Sequence, residues 1–343
     1  MTKTLRSIKD LTKARLLPAG DQRLHAVAEK YAVAVTSDLA DLIETADDAI
    51  ARQFIPDVRE LDLSPQELAD PIGDEAHSPV EGIVHRYPDR VLLKLLHVCP
   101  AYCRFCFRRE KVGKEDKMLG EDALEKAIDY ITSDKKIWEI VFTGGDPLLL
   151  SSRRIRDVVM RFDQIPHVKI LRWHTRVPVV SPKLVTDKLV AALKAGTKTV
   201  YVAVHANHVQ EFSESACAAI SKLADAGIPL ISQSVLLKDI NDNPQALEAL
   251  MRRFVELRIK PYYLHHPDLA SGTSHFRVPI AQGQQLAASL RQRASGLCQP
   301  HYMLDIPGGH SKVPLAAAYI TADEKHYIVR DIWGKTHRYS DLT

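Results

Sequence analysis

From about residue 90 the chain repeats one pattern. Short, nearly all-apolar runs occur at RVLLKLLHV (90–98), WEIVFTGG (138–145), VKILRWHT (168–175), KTVYVAVH (198–205), IPLISQSVLL (228–237) and IKPYYLHH (259–266). Between them lie longer stretches with apolar residues three and four apart: EDALEKAIDYI, SSRRIRDVVMRF, KLVTDKLVAALKAG, ACAAISKLADAG and PQALEALMRRFVEL. Runs of this length with apolar residues on both faces are strands covered from both sides. Strict alternation with helices predicts parallel strands joined by right-handed crossovers. Six such units are too few for a closed eight-unit barrel. The expectation is an open, partial β/α barrel, with HYMLDIPGG (301–309) as a further extended stretch.

The first eighty residues read differently. LHAVAEKYAVAVTSDLADLI (24–43) has helical spacing, and SPQELADPIG (64–73) offers a Ser ahead of a carboxylate-bearing turn. A helical region over 1–80, a barrel over 81–320 and a short extension over 321–343 follow as the expected organisation. Polar residues gather at the C-terminal ends of the predicted strands: Cys99, Asp146, His174, His205, Gln233 and Asp268. In parallel β/α folds that edge carries the active site.

Composition narrows the partners. Lys and Arg total 46 against 43 Asp and Glu, a formal net charge of +3. This balance gives no reason to expect nucleic-acid binding. There is no apolar run of the ~18 residues a spanning helix needs, and MTKTLRSIKD lacks the features of a secretory leader. A cytoplasmic protein with no membrane partner is expected.

Of five cysteines, Cys217 and Cys298 are solitary and read as small buried residues, whereas Cys99, Cys103 and Cys106 stand together in CPAYCRFC. Three thiolates on one tight loop can ligate three irons of a [4Fe–4S] cluster, leaving the fourth iron open. A structural zinc would need four closed ligands, and neither His97 nor the distant cysteines offers zinc-like spacing.

The C-x3-C-x2-C loop, with Phe105 before its last cysteine, resembles the signature of the radical S-adenosylmethionine (radical SAM) superfamily. That resemblance implies a [4Fe–4S] cluster whose open iron chelates S-adenosylmethionine, and one-electron cleavage to a 5′-deoxyadenosyl radical. FTGGDPLL then resembles the glycine-rich motif, in which Gly144 and Gly145 let the backbone approach the methionine amino group and Asp146 fixes the turn.

A narrower resemblance, over about residues 80–340, is to the lysine 2,3-aminomutase family. It implies that Lys312 in DIPGGHSKVP is the Schiff-base lysine for pyridoxal phosphate, with Arg86, Tyr87 and Arg90 of HRYPDR at its phosphate. Without that context Lys312 would be a solvated lysine, and the arginines two solvated charges. His205 and Gln233 match positions against S-adenosylmethionine and pyridoxal phosphate. Arg108 matches the clamp for the substrate carboxylate, with Arg104 and Arg109 solvated or ion-paired beside it. Asp268 and Asp305 match carboxylates that hold the substrate's ε-ammonium. Two buried carboxylates facing one another predict a cation between them.

The resemblance thus implies conversion of L-lysine to β-lysine by radical 1,2-amino migration, fed by a flavodoxin- or ferredoxin-type electron donor. A glutamate substrate is not expected, because related glutamate mutases lack the acidic pair. Arginine, or a lysine destined for an elongation factor, are the alternative substrates. A non-catalytic iron–sulfur protein would have no need of Lys312, Arg86 and Arg90. Longer relatives carry a cysteine-rich zinc-binding tail that this chain does not show, so zinc is not expected and only a homo-oligomer of unspecified order is. His265 stands where related enzymes can carry Tyr.

Overall fold

The computed structural model describes residues 4–113, 118–316, 318–323 and 326–340. Nine strands form one sheet in sequential order: β1 (Ile83–Tyr87), β2 (Arg90–Leu96), β3 (Glu139–Gly144), β4 (Ile170–Thr175), β5 (Thr199–His205), β6 (Leu230–Val235), β7 (Ile259–His265), β8 (His301–Asp305) and β9 (Lys312–Pro314). Strands β2 to β8 are parallel, and β1 and β9 pair antiparallel at the two ends. The architecture is the open partial β/α barrel expected, and all six predicted strands appear as β2 to β7.

The two flanking strands extend that expectation. HRYPDR is a β-hairpin in which Tyr87 pairs with Arg90. HYMLDIPGG supplies β8, and the chain turns back so that Asp305 pairs with Lys312. Gly308 and Gly309 make that turn, both at positive φ, where a side chain would be strained.

Alternation along each strand separates core from cavity. On β4, Leu171 and Trp173 point into the helical layer and are fully buried, while Arg172 and His174 line the interior. Trp173 stacks on Phe142 of β3 with ring centroids 4.1 Å apart. Truncating either ring to Ala would cost ~3–5 kcal/mol.

The N-terminal region is less helical than its spacing suggests. A helix at Gln22–Lys30 ends before Tyr31, and residues 31–36 run extended, bridged from Val35 to Leu5. The alternating YAVAVT segment contains β-branched residues, which favour this conformation. Ala34 also accepts a backbone hydrogen bond from Tyr102 at 3.0 Å. Leu39, Ile50 and Phe54 share a single core with the barrel strands, so residues 4–80 close one side of it. In the C-terminal extension, Ile320–Asp323, His326–Arg330 and Thr336–Tyr339 form a separate antiparallel sheet that its sequence did not announce.

Candidate active site

The interior of the open barrel is a cavity of about 490 Å3. The candidate cluster, cofactor and substrate residues from the sequence all line it: Cys99, Cys103, Cys106, Arg86, Tyr87, Arg90, Arg108, Gly144, Gly145, Asp146, His205, Gln233, Asp268, Asp305 and Lys312.

The cysteine loop leaves β2 and is held from behind by the N-terminal region. Arg104 donates its backbone N–H to the Gln53 carbonyl at 2.8 Å and its Nε to Glu60 Oε1 at 2.9 Å. Arg109 pairs with the same Glu60, stacks its guanidinium 3.5 Å above the Tyr31 ring, and donates to the Gly272 carbonyl at 3.1 Å. Arg104 and Arg109 are therefore buried and ion-paired rather than solvated. Glu60 is fully buried, and its two arginines hold its carboxyl below the usual range although burial pushes it up. These contacts fix the back of the loop, whose three cysteines line the cavity.

Burial, and then its neighbour Cys103, pushes the Cys106 thiol up to about 11, and burial raises Cys99 and Cys103 as well. A bound cation reverses that preference, because metal charge deprotonates its thiol ligands. Three inward-facing thiols on one loop suit three corners of an iron–sulfur cluster.

The glycine-rich turn has a packing reason as well as the expected ligand one. A Cβ on Gly145 would collide with the Val98 carbonyl, and one on Gly144 with the Leu96 carbonyl. Gly145 and Asp146 donate backbone N–H groups to these carbonyls, at 2.6 and 2.9 Å. The turn thus grips the entrance of the cysteine loop. Asp146 is only 4% exposed and accepts from Thr175 Oγ1 (2.7 Å) and the backbone N–H groups of Leu148 (3.1 Å), Arg176 (2.7 Å) and Val177 (3.1 Å). It ties the end of β3 to that of β4, consistent with fixing the turn.

A second cluster surrounds Lys312. Its Nζ pairs with Asp305 Oδ2, lies 3.3 Å from His265 Nδ1, and sits 5.6 Å from the centroid of the Tyr263 ring. Asp305 Oδ1 faces Arg86 Nη2 at 3.6 Å. Tyr87 Oη accepts the Lys312 backbone N–H at 2.8 Å, and the Arg90 guanidinium stacks 3.9 Å over the Tyr87 ring. Burial works against the Asp305 charge, but the hydrogen bonds and the Lys312 ammonium hold its carboxyl well below the usual range. Asp268 goes the other way: burial first, then the Asp305 carboxylate, push it up to about 7. Burial and the Lys312 charge lower His265 to about 4, so its ring is neutral at physiological pH. Gln233 meets the other ring nitrogen, with Nε2 to Nε2 at 3.1 Å.

Arg108 lies between the clusters. Asp74 Oδ2 accepts its Nε at 2.7 Å, and Thr143 Oγ1 accepts Nη1 at 3.1 Å. His174 and His205 each keep a buried Nε2 with no hydrogen-bond partner, and burial depresses both rings well below their usual range. Unpaired polar atoms of this kind suit a polar ligand. Sequence reasoning did not pick out Asp74, Thr143, Tyr263 or Arg176. Of these, Thr143 and Arg176 follow the strand-end rule that found the others, since they flank Gly144 and Thr175.

A nine-stranded open barrel with three cysteines at the mouth of its first parallel strand defines a radical SAM enzyme. The model of the Radical SAM superfamily matches residues 93–251. The chain is 38% identical to L-lysine 2,3-aminomutase of Clostridium subterminale over 312 residues, covering 90% of this chain and 75% of that protein. It is 34% identical to L-lysine 2,3-aminomutase of Escherichia coli K12, covering 83% of each. It is also 33% identical to glutamate 2,3-aminomutase of Clostridioides difficile, covering 98% of this chain and 79% of that protein. The chain belongs to the lysine 2,3-aminomutase family, and is an isomerase of the radical SAM class. Membership implies a [4Fe–4S] cluster and S-adenosylmethionine. No helix among the described residues is long and apolar enough to cross a membrane.

Proposed function

We propose that the protein binds pyridoxal phosphate at Lys312 and isomerises L-lysine to β-lysine. The observation that carries this is the placement of Lys312, Asp305 and Asp268 in the cavity the three cysteines face. When bound, the cluster and S-adenosylmethionine supply a carbon-centred radical, and pyridoxal phosphate supplies a carrier for the migrating nitrogen.

The protein's own residues select and orient. Asp74 and Thr143 hold Arg108 with its fork toward the cavity, where it can pair with a substrate carboxylate. Asp305 already binds one ammonium, that of Lys312, and the substrate's side-chain ammonium is chemically the same group. Asp268, pushed up to about 7 by burial and the Asp305 carboxylate, gains a charge partner when that ammonium arrives. Arg86, Tyr87 and Arg90 stand against Lys312 on the β1–β2 hairpin, suited to a phosphate.

Overall identity does not separate lysine from glutamate, because relatives of both kinds match at similar levels. The carboxylates favour lysine: the side chain of glutamate would bring a further negative charge against Asp305 and leave Asp268 without a cation. The test is anaerobic incubation of the reconstituted protein with dithionite, S-adenosylmethionine, pyridoxal phosphate and lysine, arginine or glutamate in parallel. Isomerisation of lysine is expected. Conversion of glutamate but not lysine would reverse the substrate reading.

A further inference from the structure

Arg176 is the first residue after β4 and belongs to none of the substrate contacts above. It is 7% exposed, and its Nη1 donates to Cys103 Sγ at 2.7 Å. Nη2 donates to Glu211 Oε2 at 2.7 Å and to Gln53 Oε1. Its backbone N–H is the one bound by Asp146. The guanidinium lies 4.6 Å from the Phe54 ring centroid and 5.5 Å from that of Phe105. Glu211 is fully buried and also accepts from Gln53 Nε2 (3.1 Å) and from the backbone N–H groups of Asn207 (2.7 Å) and His208 (2.9 Å). Asn207 Nδ2 donates in turn to Gln53 Oε1 at 3.0 Å.

This is a built site for a cation aimed at sulfur. Two residues distant in sequence, Gln53 and Glu211, converge on the Arg176 guanidinium, and one further side-chain hydrogen bond, to Cys103, points toward the cavity. A salt bridge needed only for packing would be complete with Glu211 and Gln53. With Glu211 already pairing its charge, the guanidinium directs its other fork nitrogen at Cys103. An N–H donor of a cation bonds a thiolate more strongly than a neutral thiol, and thiolate is the form cysteine takes when it binds iron.

We infer that Arg176 is a positioning residue that hydrogen-bonds the Cys103 thiolate of the cluster and raises the cluster's reduction potential. Hydrogen bonds and positive charge at the sulfurs stabilise the reduced cluster, which carries one more electron than the oxidised one. Gln53, in the N-terminal region, and Glu211, after β5, hold the fork in place. The N-terminal region therefore contributes to the redox centre itself, through Gln53, and not only to the fold. The inference rests on the assignment of the cysteine loop to a [4Fe–4S] cluster.

The experiment is a dithionite titration of the reconstituted protein, without S-adenosylmethionine, followed by electron paramagnetic resonance, with iron measured per chain. Three proteins are compared: wild type, Arg176→Lys, and Arg176→Met combined with Glu211→Gln. The double variant removes the cation without leaving a buried carboxylate unpaired. Its cluster should be about tenfold harder to reduce, a midpoint some 59 mV more negative for a one-electron couple. Arg176→Lys keeps the charge but loses the two-pronged reach, and its midpoint should fall between the other two. Both variants should retain about four irons per chain. If the double variant does not assemble its cluster, the lysine variant decides alone, and a midpoint equal to wild type overturns the inference. Equal midpoints in all three proteins overturn it as well. Wild type that assembles no cluster would instead sink the cysteine-loop assignment, a distinguishable failure.

Discussion

Replacing Asp305 with Asn tests the substrate reading at its most sensitive point. The side chain is 6% exposed, and two cations face it: Lys312 at Oδ2 and Arg86 at Oδ1. Removing one partner of a buried ion pair costs ~3–5 kcal/mol. Asn keeps an oxygen acceptor, so some hydrogen bonding survives. The Asp305 charge is also one of the two causes that raise Asp268. Losing it lets Asp268 ionise more readily and take over part of the cation binding. Both effects place the loss at the low end, about 3 kcal/mol. At 1.36 kcal/mol per factor of ten, kcat/KM for lysine should fall roughly 100- to 200-fold. The assay is anaerobic steady-state turnover of lysine, with thermal unfolding measured in parallel to confirm that the variant folds. Cleavage of S-adenosylmethionine to deoxyadenosine without lysine should be little changed, because its cysteine loop is held by Glu60 and not by Asp305. Norleucine, which lacks the ammonium, should be a poor substrate for the wild type. A loss below about threefold, or equal processing of norleucine and lysine by wild type, would refute the reasoning.

Three further outcomes follow from the same geometry. Asp268 has its folded-state pKa raised to about 7 from an ordinary 3.8, so between these values the folded chain holds a proton that the unfolded chain releases. Stability of the ligand-free protein should therefore decline as pH rises from about 4 to 7, and Asp268→Asn should flatten that slope in denaturant titrations. Lysine binding favours the ionised carboxylate, so kcat/KM should rise through pH 7 in wild type and lose this limb in the same variant. Lys312→Ala should abolish the pyridoxyl label fixed by borohydride and located by peptide mass mapping; a label on another lysine would move the cofactor site. Cys103→Ala should bind far fewer than the wild type's irons while its circular dichroism stays that of a folded barrel; an unchanged iron content would remove Cys103 from the cluster loop.

The parts of this site legible in the sequence are those fixed by local rules. Parallel strands demand apolar runs, and their C-terminal ends collect polar residues, so Cys99, Asp146, His174, His205, Gln233 and Asp268 could be placed before any coordinates. Side chains that act by meeting across the fold were not. Glu60 looks like an ordinary acid in VREL, yet it is buried beneath Arg104 and Arg109, more than forty residues away. Gln53, Arg176 and Glu211 likewise reveal themselves only once β4, β5 and the N-terminal helices pack together. The flanking strands were missed because β9 has three residues and β1 belongs to a hairpin rich in charge. Extended YAVAVT was masked by apolar spacing that suits helix and strand alike.

The proposed isomerisation moves nitrogen from C2 to C3 of lysine within this cavity. L-lysine labelled with 15N at the α-amine, converted anaerobically by the reconstituted protein and resolved by NMR, tests it most directly. The predicted product is β-lysine carrying the label on C3, formed only with S-adenosylmethionine and reductant present. Lysine recovered unchanged from a protein with its full iron content, or label lost to solvent, would contradict it.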